Sequence, residues 1–143
     1  MTLQSIKQHQ KWLVPAALLL TVAGVFIART AFARIFTNTI DPVGIVAEKG
    51  RHITVTGPIA FDASERAELR VTVTQRSTGA VAEGRTFIIS TGELQQWEVE
   101  TAVEGAATFE AGPATAVAIA RTTVAGKATD AHQWLVNITL MKE

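Results

Sequence analysis

The stretch ELRVTVT, Glu68–Thr74, decides the fold class. Leu69, Val71 and Val73 alternate there with Arg70, Thr72 and Thr74, and a period of two places successive side chains on opposite faces of a strand. The same period recurs on both sides. Upstream, Ile53 and Val55 alternate with His52, Thr54 and Thr56. Downstream, Trp97, Val99 and Val103 face Glu98, Glu100 and Glu104, and Trp134, Val136, Ile138 and Leu140 are set against Gln133, Asn137 and Thr139. Arg85–Thr91 and Ala114–Val124 are two further runs. In the second, Val117 and Ile119 share one face and Ala116, Ala118 and Ala120 the other, as in a central strand packed closely on its neighbours.

Turn signals separate these runs: Gly57-Pro58, Ser77-Thr78-Gly79, Thr91-Gly92, Glu104-Gly105, Gly112-Pro113 and Gly126. Seven or eight short strands result, with no length left for the crossover helices of a parallel sheet. The expected fold is all-β, an immunoglobulin-like or Greek-key antiparallel β-sandwich over residues 43–143. Asp62–Glu68 and Glu93–Gln96 are expected to form single helical turns, because Asp62 or Ser64 can cap and acids suit a helix start.

Ahead of this domain the composition changes. Residues 1–40 carry Lys7, Lys11, Arg29 and Arg34 and no acid, whereas residues 41–143 carry nine basic and thirteen acidic side chains. Trp12–Ala28 is a run of seventeen uncharged residues, roughly 25 Å as a helix and near the lower limit for a bilayer core. Lys11 and Trp12 suit the headgroup region at one end, and Arg29 and Arg34 can snorkel at the other. A single transmembrane signal-anchor helix is therefore expected over residues 12–36. It follows a cytoplasmic tail, 1–11, and precedes a short linker, 37–42, in which Pro42 biases Asp41 to an extended conformation. Ala31-Phe32-Ala33 has the small-x-small form of a signal-peptidase site, so cleavage after Ala33 stands as the competing reading.

Within the helix, Ala17, Thr21, Gly24, Ala28 and Ala31 recur at spacings of four and three and share one stripe. Small residues let helix backbones approach closely in lipid, where no hydrophobic drive favours association. The stripe is expected to pack on other integral membrane subunits, the remaining helix surface contacting the bilayer.

The domain offers little recognisable chemistry. Cysteine is absent, which excludes disulfides, thiolate metal sites and a cysteine nucleophile. His52 and His132 stand apart in sequence, and no HExxH, GxSxG or phosphate-loop spacing occurs. Glu98 and Glu100 alternate with core positions and read as a solvated face. Trp97 and Trp134 fall on apolar phases and read as core. The polar cluster around Asp130, His132 and Gln133 is the best candidate for a recognition loop. No catalytic residue, metal ligand, cofactor or small-molecule substrate is expected, and the acidic domain argues against nucleic acid. These observations lead to a non-catalytic, single-pass accessory or assembly subunit of a larger complex in the plasma membrane, its sandwich on the extracytoplasmic face. The alternative is a stand-alone tethered module that binds a peptide, a glycan or a cell-wall component.

Overall fold

The computed structural model of the chain describes residues 35–143. The tail, the anchor as far as Arg34, and with them Lys11, Trp12, Ala17, Thr21, Gly24, Ala28, Arg29 and Ala31, lie outside the described residues. Among the described residues no helix is long and apolar enough to cross a membrane.

The folded unit is all-β. Its strands are β1 (Ile35–Asn38), β2 (Val43–Ala47), β3 (His52–Phe61), β4 (Arg66–Gln75), β5 (Ala80–Ile89), β6 (Gln95–Val103), β7 (Gly112–Val124) and β8 (Lys127–Lys142), with a 3₁₀ turn at Glu48–Gly50. Hydrogen bonding runs in the order β3-β2-β8-β7-β4-β5-β6, and β6 pairs back onto β3. Seven strands thus close into a barrel, with β1 on the same edge of β3 as β2. Two features depart from the expected antiparallel sandwich. One sheet closes on itself, which removes open edges, and β2 runs parallel to β8, Val43 opposite Thr139 and Val46 opposite Lys142.

Alternation produces the core directly. Ile53, Val55, Ile59 and Phe61 of β3 and Ala67, Leu69, Val71 and Val73 of β4 are fully buried. In β7 the small face points inward: Ala116, Ala118 and Ala120 are buried, while Ile119 is 43% exposed. Small side chains on this central strand leave room for the larger ones of β3 and β4 in a narrow interior. Trp97 is buried and Trp134 packs half-buried against the core, as their phase indicates.

Turn signals were honoured in most places. At Ala125-Gly126 a two-residue connection joins β7 to β8, with φ of 51° and 80°, the pairing of positive angles that matches hairpin twist. Gly57-Pro58, however, does not turn; both residues lie inside β3. A Cβ at Gly57 would collide with the Thr39 carbonyl and the Trp97 ring, so close approach explains the glycine. Pro58 lacks a donor where β3 faces the break between β1 and β2, and its carbonyl still accepts from Thr39 N at 3.4 Å. Nor does a helical turn form at 62–68, because Arg66–Glu68 pair in β4 with both β5 and β7. Glu93–Gln96 likewise leads straight into β6.

The stretch expected as anchor end and linker also belongs to the barrel. Ile35 and Phe36 are in β1, and Ile35 and Ile40 are buried, each such side chain worth about 1.5–3 kcal/mol. Asp41 accepts from Thr56 Oγ1 at 2.6 Å and from Gln96 Nε2 at 2.7 Å. The segment is thus bound to the barrel along its length.

Candidate interaction surface

Asp130, His132 and Gln133 lie within β8, opposite Thr122, Ala120 and Ile119 of β7, not in a loop. Two of the three hold β1 in place. Asp130 Oδ2 accepts from the Ile35 backbone N–H at 3.2 Å, and His132 Nδ1 lies 3.2 Å from the Asn38 amide. Gln133 points outward with Ile119. The cluster read as a recognition loop is therefore occupied in clamping the strand through which the chain joins the barrel. Replacing Asp130 by alanine is expected to speed hydrogen exchange at the Ile35 amide about tenfold, the scale of one hydrogen bond to a charged acceptor. Unchanged exchange there would remove the clamp.

His52 bridges two exposed acids, Nε2 to Glu48 at 3.0 Å and Nδ1 to Glu100 at 3.1 Å. Among the described residues no group of three or more His, Asp or Glu side chains is placed to hold a metal. Ser90 is engaged in building a loop: its hydroxyl donates to the Phe61 carbonyl at 2.7 Å and accepts from Gly92 N at 3.0 Å. A cleft of about 520 Å³ lies beside Glu48–Gly50, lined also by Phe109, Glu110 and Lys142. Its wall is a left-handed turn with φ of 51°, 57° and 85° at Glu48, Lys49 and Gly50. Gly50 packs on the Phe109 backbone with no room for a Cβ.

The surface with the most distinctive chemistry is the outer face of β4, β5 and β7. Register brings Arg70 opposite Arg85 on one side and Ile119 on the other, and Glu68 opposite Phe87 and Arg121. Arg66 lies over the Phe87 ring at 4.2 Å from its centroid. Four of the nine basic side chains of residues 41–143 stand here, Arg66, Arg70, Arg85 and Arg121, with two of the thirteen acids, Glu68 and Glu83. Glu68 is shared between Arg70 at 3.8 Å and Arg121 at 3.7 Å, so one carboxylate serves two guanidinium groups. Arg70 and Arg85 are like charges directly opposite, which costs a sheet stability. Exposed apolar residues flank them, Phe87 at 50%, Ile119 at 43% and Leu135 at 61%. Shallow depressions of about 340 and 220 Å³ meet at Arg70.

Arginine beside exposed aromatic and aliphatic side chains is the composition of protein interfaces. Local sequence hides it, since the four arginines are spread from position 66 to 121. The outward phase of ELRVTVT identifies Arg70, but only the strand register brings Arg85 and Arg121 beside it.

No family model matches the chain, and no curated protein matches it in sequence. Among solved structures, the chain is similar to WR4, a C. elegans MSP family member. That alignment covers 73% of this chain and 96% of the other at 14% identity, with a TM-score of 0.38.

Proposed function

We propose that this chain is a non-catalytic, single-pass accessory or assembly subunit of a larger plasma-membrane complex, its barrel on the extracytoplasmic side. The carrying observation is the arginine-rich outer face of β4, β5 and β7, which concentrates positive charge and apolar surface on an otherwise acidic domain. Its complement is an acidic patch on a neighbouring subunit, because four arginines outnumber the two acids of this face and guanidinium groups gain most from carboxylates held in a fixed, partly dry surface. The Trp12–Ala28 run supplies the anchor, and the stripe of Ala17, Thr21, Gly24, Ala28 and Ala31 supplies a second, intramembrane contact with the same partner assembly.

The two contacts can be tested apart. Replacing Gly24 and Ala28 together by isoleucine is expected to reduce co-migration with large integral subunits after mild detergent extraction, while leaving the chain in the membrane fraction. Full retention of the complex would remove the stripe from the account. The second reading, a tethered module acting alone on a peptide, glycan or wall component, is favoured by the cleft beside Glu48–Gly50, whose run of left-handed residues is the kind of backbone strain that collects at binding sites. Under that reading the detergent-solubilised chain migrates by itself.

A further inference from the structure

The strand directions give the barrel two distinct poles. β1 begins at Ile35 opposite Phe61, the last residue of β3. The same pole carries the start of β4 at Arg66, the end of β5 at Ile89, the β5–β6 loop, and the turn between Val124 and Lys127. Three large apolar side chains are exposed here: Ile89 is 74% exposed, Leu94 65% and Val124 44%. Ile89 and Leu94 are the most exposed large apolar side chains of the described residues.

The loop that presents them is built to hold them outward. Ser90 N donates to the Glu65 carbonyl at 3.0 Å, and the Ser90 hydroxyl is tied to Phe61 and Gly92. Gln95 closes the loop from the other side, its Oε1 accepting from Thr91 N at 3.1 Å and its Nε2 donating to the Ile89 carbonyl at 3.1 Å. Two side chains thus spend their hydrogen bonds on a turn whose apolar ends face away from the core. Arg66 and Lys127 stand at the same pole, with Asp62 and Glu93 as nearby acids, so net charge is not the recognising feature; apolar projection is.

We propose that this pole docks on the lipid bilayer, with Ile89 and Leu94 seated among the headgroups and upper acyl chains. The inference rests on the single-pass reading above. What selects lipid as the occupant is the tether: the chain joins the barrel at this pole, and three residues, 32–34, separate Ile35 from Ala31, the last position of the small-residue stripe. Fully extended, they reach roughly 10 Å. Two apolar side chains are too few to recruit a free domain to a membrane. A tether this short raises the effective concentration of lipid enough for a weak contact to be occupied. Arg66 and Lys127 suit the phosphate level beside such an insertion.

The chain contains no cysteine, so single cysteines can be labelled with an environment-sensitive fluorophore without background. The full chain is reconstituted in vesicles of phosphatidylcholine and phosphatidylglycerol containing lipid spin-labelled near the headgroup or along the acyl chain. Labels are placed at Leu94→Cys, at Ser77→Cys on the opposite pole, and at Val25→Cys in the uncharged run. Loss of most of the fluorescence at Val25 and Leu94, with little at Ser77, is the expected result. Quenching at Val25 with a Leu94 signal equal to that of Ser77 overturns the docking and leaves the anchor standing. No quenching at Val25 overturns both. A second variant guards against perturbation by the label: with the fluorophore at Lys127→Cys, the changes Ile89→Asp and Leu94→Asp are expected to abolish its quenching, and retained quenching also overturns the docking.

Discussion

Replacing Gln75 by leucine is expected to destabilise the barrel by about 3 kcal/mol, a large part of the 5–15 kcal/mol typical of a domain this size. Gln75 ends β4 with 1% of its surface exposed. Its Nε2 donates to the Glu110 carbonyl at 2.9 Å and the Pro113 carbonyl at 3.3 Å, and its Oε1 accepts from Glu110 N at 2.9 Å and Thr78 Oγ1 at 3.1 Å. One amide therefore joins the β4–β5 turn to the irregular segment that leads into β7. Leucine fills a similar volume but leaves the Glu110 N–H and its neighbouring carbonyls without partners, and each such group costs roughly 1–3 kcal/mol. The comparison is Gln96→Leu, whose exposed amide contacts Asp41 and whose loss should cost about 1 kcal/mol or less. Equal urea midpoints for the two variants would show that Gln75 does not hold the segment.

Arg85→Glu is expected to move stability and association in opposite directions. In the isolated chain it turns the Arg70–Arg85 repulsion into an attraction, stabilising β4–β5 by up to about 0.5 kcal/mol. In the complex it sets a carboxylate against an acidic partner face, and binding should weaken about tenfold or more. Surfaces that sacrifice some stability for an interaction behave in this way. Thermal unfolding of the purified chain and co-migration from membranes give the two readouts. A variant that is less stable, or that keeps its partner, would contradict the assignment of this face.

How legible the molecule was depends on how far each contact reaches along the chain. Leu69, Val71 and Val73 declare a strand through their own spacing, as do Trp134, Val136, Ile138 and Leu140, and both runs are strands in the barrel. β1 and β2 are concealed because Ile35 continues an apolar leader and Gly44 interrupts VGIVA, so their burial depends on β3 and β8. Gly57-Pro58 reads as a turn from local chemistry, yet the Trp97 ring and the Thr39 carbonyl fix that glycine inside a strand. Asp130 and His132 looked like a polar loop because their partners, Ile35 and Asn38, lie more than ninety residues away. Closure of the ring by β6 on β3 is likewise a long-range pairing with no local signature. The arginine face is invisible for the same reason, since it exists only once Arg70, Arg85 and Arg121 are in register.

The most direct measurement is the size of the native particle that contains this chain after mild detergent extraction from membranes. Migration together with integral subunits, well above the chain's own 15.3 kDa, is the expected result. Release into aqueous extracts as a free species whose amino terminus is Arg34 would contradict the account at its root.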